Sequence, residues 1–69
     1  MNPDDVKRKN QCPPGTVITL GHPANQILVV KGTAQDDLQA WRYVASGELL
    51  DYDDYHKAPW EIYSWPVTA

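Results

Sequence analysis

Only one cysteine, Cys12, occurs in these 69 residues, which excludes an intrachain disulfide and any cysteine-based zinc finger. Cations are also scarce. Six Lys and Arg against nine Asp and Glu leave a net charge of -3, the wrong sign for a general nucleic-acid binder. The excess is equally too small for a mimic of DNA charge. No apolar run approaches the roughly 20 residues that a membrane helix needs. The opening MNPDDVKRKN is charged where a signal peptide turns hydrophobic. A cytoplasmic chain with a reduced thiol is the expectation, with no membrane partner and no cofactor.

A chain of this length is one domain and buries only about 60% of the surface its unfolded form exposes. Without disulfides or a metal, support must come from large side chains or from association. Three Trp and four Tyr are the available material.

Residues 1–12 are polar, include the basic KRK, and show no apolar period, so they read as a flexible arm. PPG at 13–15 is a turn signal and opens the single domain expected over 13–69. TVITL (16–20) is β-branched, with Ile18 and Leu20 on one face. GHPANQ reads as a turn, and ILVVK (27–31) as a central strand covered on both sides. LQAWRYVA (38–45) alternates and predicts a strand with Trp41, Tyr43 and Ala45 on one side, ended by Ser46 and Gly47. ELLDYDDYHKA changes character. Asp51 can cap a short helix near 51–58, with Asp53 and Asp54 in its first turn, His56 and Lys57 in its last, and Pro59 as a stop. WEIYS is strand-like again.

Four to five short strands and one short helix make a mainly β chain, at the border of α+β. A small SH3-like, partly open barrel encloses a core better than a flat sheet of so few strands. A meander with the helix on one face is the second architecture.

The stretch PWEIYSWP raises the functional question. Alternation puts Trp60, Ile62 and Ser64 on one face and Glu61, Tyr63 and Trp65 on the other. Only one face of a thin domain can be core, and a proline at each end suits a sheet margin. Tyr63 and Trp65, with Trp41 and Tyr43, are therefore the candidate partner-binding residues. The alternative is that the helix covers this face and every aromatic is core.

Catalytic signals are sparse. Cys12, His22 and His56 lack the close spacings of metal sites, so no metal ligand and no catalytic residue is assigned. Asp51, Asp53 and Asp54 lack the glycine and the later glutamate of a calcium loop. LLDYDDY resembles the ALYDY stretch of eukaryotic SH3 domains, but that stretch opens those domains and here it comes late.

Over residues 13–67, the sequence PPGTVI, then WRYVASGELL, an acidic turn and an aromatic last strand are similar in layout to small uncharacterised β-rich proteins of actinobacteria and their phages. The resemblance implies a phage-encoded accessory protein in the host cytoplasm. The first expectation is then a non-enzymatic protein that binds and perturbs a host defence or regulatory protein, or a second copy of itself, through aromatic anchors. The second is an oligomeric sponge for a small nucleotide-like ligand, with Arg42 or Lys31 on a phosphate. The third is a minor virion structural protein.

Overall fold

The computed structural model describes residues 3–66. Residues 1–2 of the expected arm and 67–69 of the expected domain lie outside the described residues. Four strands, β1 (Val17–Leu20), β2 (Ile27–Lys31), β3 (Trp41–Tyr43) and β4 (Trp60–Ser64), pair antiparallel in the order β3-β2-β1-β4. β3 and β4 stand at the margins of an open sheet. The chain is mostly β, with single-turn helices α1 (Asp37–Ala40) and α2 (Tyr52–Tyr55).

The turns follow from the residues in them. Pro13 accepts from both the N–H (3.2 Å) and the hydroxyl (2.7 Å) of Thr16, closing the PPG turn before β1. Gly21 ends β1 with φ +97, and a Cβ there would lie 3.1 Å from the Asn25 carbonyl oxygen. Any other residue would strain the tight Pro23–Asn25 turn that leads into β2.

Register decides which side chains share a face. Ile18 lies opposite Val29 and Ile62, Leu20 opposite Ile27 and Trp60, and Val29 opposite Tyr43. Paired residues point to the same side, so these form one apolar face, joined by Trp41 opposite Lys31. Ile18, Leu20, Val29 and Trp41 are fully buried there. Val6, Cys12, Leu50 and Tyr55 pack over them.

Several expectations change. Leu38 and Ala40 belong to helix α1 and not to a strand, so the predicted strand over 38–45 shrinks to Trp41–Tyr43. Asp36 is the cause, since its carboxylate accepts from the Leu38 N–H at 3.1 Å and starts a helical turn. Two-sided burial falls on β1 instead of ILVVK. Thr19 is nearly buried on the second face of β1, whereas Val29 alone is fully buried in β2. β1 has longer neighbours on its two sides than β2, whose outer partner β3 has only 3 residues. Cys12, placed by composition in the arm, is a core residue at 3% exposure.

The two margins of the sheet differ. Residues 48–50 run beside β3 through an isolated bridge from Leu49 to Arg42. The Tyr43 N–H donates to the Glu48 carbonyl at 2.9 Å, and the Leu50 N–H to the Trp41 carbonyl at 3.0 Å. Among the described residues, no strand pairs with the outer side of β4.

Helix α2 is shorter than the predicted 51–58 and is held from outside. Asp51 occupies its N-cap position, but its side chain makes no capping bond. Its N–H donates instead to the Tyr43 hydroxyl at 3.2 Å, and that hydroxyl donates to Asp54 Oδ2 at 2.5 Å. His56 is the C-cap, and Lys57, past the helix end, pairs with Asp54 at 3.2 Å.

This tie predicts a two-limbed pH dependence of stability. The Tyr43 hydrogen bond, and secondarily that of Lys57, hold the Asp54 carboxyl below its ordinary 3.8. The same bond to Asp54 is the main cause that raises the Tyr43 phenol above its ordinary 10.0. Asp54 binds its proton less tightly in the folded chain, so its contribution is complete above about pH 4 and fades as pH falls through the lowered value. Tyr43 is the mirror case: its contribution is complete below about pH 10 and is lost as pH rises through the raised value. Melting midpoints measured across pH should fall at both ends, and Asp54→Asn should flatten both limbs. Limbs of unchanged steepness in that variant would show that the tie carries no stability.

Candidate functional site at the outer edge of β4

β4 presents its two kinds of side chain as alternation requires. Trp60 and Ile62 turn inward against the core, and Glu61 and Tyr63 are exposed. The pairing with β1 is irregular at one point. Val17 faces Ser64 while Ile18 faces Ile62, so Tyr63 is an extra residue without a partner in β1. Such a bulge bends the strand and re-aims a side chain. Tyr63 is the most exposed large hydrophobic residue among the described residues, at 67%.

After the bulge the chain runs through Trp65 to Pro66, which lies against the PPG turn. A Cβ on Gly15, at φ +95, would stand 3.1 Å from Pro66 Cβ. The glycine lets these two segments approach, and this close contact is what places half-buried Trp65 beside Tyr63.

The N-terminal segment forms the opposite wall. Gln11 Oε1 accepts from the Lys7 N–H at 2.6 Å and the Arg8 N–H at 3.1 Å, fixing a turn. The Lys9 ammonium donates to the Tyr55 carbonyl and lies 4.5 Å from that ring's centroid. Val6 packs on the core, which brings Pro3 and Asp4 alongside β4. Between the two walls is an open groove of about 650 Å³ lined by Val6, Trp60, Ile62, Tyr63 and Trp65, with Pro3 and the carboxylates of Asp4 and Glu61. No cation lines it.

The four candidate aromatics therefore separate. Tyr63 and Trp65 come together at the groove. Trp41 has no exposed surface and cannot touch a partner, because its register puts it on the core face shared with Val29, where Val6, Cys12, Leu50 and Tyr55 cover it. Tyr43 is half-buried, occupied at its hydroxyl, and borders a separate hollow of about 350 Å³ with Ile27, Leu28 and Val44.

The two candidate phosphate contacts also separate. The Lys31 ammonium donates to the Cys12 carbonyl at 2.7 Å and the Asn10 carbonyl at 3.1 Å, with the Trp41 ring 5.8 Å away. Arg42 donates to the Gly47 carbonyl at 3.0 Å. Lys31 pairs with Trp41, and Arg42 with Val30, so the two cations leave opposite faces of the sheet.

Among the described residues, no three His, Cys, Asp or Glu side chains are placed to hold a metal ion. Cys12 is in the core, His22 is exposed before the 23–25 turn, and the His56 ring meets the edges of Tyr52 and Tyr55 at 4.6 and 5.1 Å. Among the described residues, no helix is long and apolar enough to cross a membrane.

Sequence reasoning missed Pro3, Asp4 and Val6. The signal was Val6, a lone apolar side chain in a polar run. What the groove offers is polar and apolar surface in about equal measure, with aromatic side chains beside the acidic residues Asp4 and Glu61, suited to holding a ligand by contact. No protein-family model matches the chain, and no curated protein or solved structure matches it.

Proposed function

We propose that this chain is a non-enzymatic interaction module that takes a protein partner in the aromatic groove along β4. In the phage setting implied by the sequence layout, that partner is a host protein. The carrying observation is Tyr63, aimed outward by a bulge and 67% exposed beside Trp65 and Trp60. Covering the exposed part of that ring, roughly 130 Å², contributes about 3 kcal/mol of apolar burial. A side chain of this kind is a common anchor of protein interfaces.

An SH3-like, partly open barrel is the architecture we attach to this reading. It is supported by the burial on both faces of β1, where Ile18 and Leu20 are at 0% and Thr19 at 7%. The nucleotide-sponge reading has less support, since Lys31 and Arg42 leave opposite faces and neither borders the groove.

The test is retention of a protein from a host lysate by the intact chain, beside Tyr63→Ser and Tyr63→Ser/Trp65→Ser. The retained protein should bind the single variant on the order of 30-fold more weakly, with a melting midpoint within a few degrees of the parent because the side chain is exposed. Undiminished binding by the single variant would overturn the reading. So would a collapse of its fold, which would make Tyr63 a structural residue.

A further inference from the structure

In an antiparallel strand the N–H and C=O of one residue point to the same side, and successive residues alternate sides. The Gly21 N–H donates to the Pro59 carbonyl at 2.8 Å, which fixes the phase for β4. Glu61 then directs its main-chain groups to Thr19, its partner in β1. Trp60 and Ile62 direct theirs away from the sheet, along the side where no strand of the described residues pairs. Such an edge is a ready template for another extended chain. Pro59 and Pro66, which cannot donate, bound the available run on either side of residues 60–65.

Among the described residues, the two charged ones that line the groove, Asp4 and Glu61, are both acidic. Glu61 projects from the exposed face of the sheet, and Asp4 belongs to the segment packed over the core face. A strand laid along β4 alternates its own side chains between these faces, so two adjacent residues would meet one carboxylate each. Self-pairing is less well served, because a second copy brings the same carboxylates and the same bulge to the edge.

We infer that the partner presents an extended basic segment, with Lys or Arg at adjacent positions, which docks as an added strand on the outer edge of β4. This rests on the groove reading above and adds the binding mode and the partner's chemistry. Main-chain bonds from Trp60 and Ile62 hold the segment, Tyr63 and Trp65 cover its apolar side chains, and Asp4 and Glu61 select its charge.

The experiment pans the intact chain against a display library of random peptides about ten residues long. Enriched sequences are then synthesised for calorimetry as the free peptides and as single N-methyl derivatives. The expected winners carry adjacent Lys or Arg among β-branched residues. N-methylation at alternate residues should weaken binding about fivefold each and leave the intervening positions unchanged. Glu61→Lys should weaken binding about fivefold or more, and the effect of salt should be to weaken the parent complex.

Winners without a basic bias overturn the inference, as does N-methyl sensitivity without alternation. A doubled native mass that peptide does not reverse also overturns it, since a second copy then fills the edge. If no peptide is enriched while the protein retained from lysate still depends on Tyr63, the strand mode is wrong and the groove reading stands. If that dependence is also missing, both fall.

Discussion

Trp41→Ala should remove a third or more of the domain's stability, lowering its melting midpoint by at least about 12 °C and, at the upper end of the range, abolishing the folded state. The side chain has no exposed surface and is the largest of the fully buried ones, packed with Ile18, Leu20 and Val29. Truncating a buried aromatic costs about 3–5 kcal/mol, because the lost transfer energy is joined by the cost of a cavity. A domain of this size has roughly 3 to 10 kcal/mol in total. Removal of one ring therefore consumes a third of the stability at best and all of it at worst. Far-UV circular dichroism during heating would decide the matter. A sharp melt within about 5 °C of the parent would mean that the core does not rest on this ring. The contrast with Tyr63→Ser is informative, since two aromatics of one small domain should then differ almost completely in what they do.

Lys31→Met should loosen the N-terminal wall and expose the thiol of Cys12. The Lys31 ammonium joins the end of β2 to two carbonyls, those of Asn10 and Cys12, across 21 and 19 residues of chain. Hydrogen bonds from a charged donor contribute about 1.5–3 kcal/mol when shielded, and of these two the one to Cys12 is part-buried and the one to Asn10 is exposed. A loss of about 2 kcal/mol is the reasonable figure, or roughly 8–16 °C in midpoint for a chain of this size. Methionine preserves most of the stem over Trp41, so the change reads the tether and not the packing. Reaction of Cys12 with a thiol reagent should accelerate markedly, because at 3% exposure the parent thiol is screened by the segment this lysine holds. An unchanged rate would show that the wall stays closed without it. The same tether engages two of the three donors that Lys31 would offer a phosphate.

How much of this was legible in the sequence depends on whether the signal was local. β-branched runs mark β1 and β2, and alternation of WEIYS places Trp60 and Ile62 inward in β4, because strand periodicity is written residue by residue. Ser64, expected on the same face, is opposite Val17 and exposed, because the bulge at Tyr63 breaks the period. The acidic turn marks α2, although its restraint by Tyr43 is not local and could not be read. Helix α1 was hidden because a single turn has no period to detect, and its capping residue, Asp36, sits in a polar run that reads as a loop. At the groove, Tyr63 and Trp65 stood out by bulk, whereas Asp4 reaches β4 only because Val6 and Cys12 are drawn into the core. Two apolar residues in a polar segment carry no pattern, yet they place one wall of the site.

The unequal margins of the sheet have a consequence for higher assembly. At the β3 side, the main chain of Trp41 and Tyr43 is already engaged by residues 48–50. Stacking of identical units into a fibre requires each to offer both a free head and a free tail. With the β3 side covered by its own hairpin, the strand docking proposed above would add one guest per protomer, at the outer edge of β4.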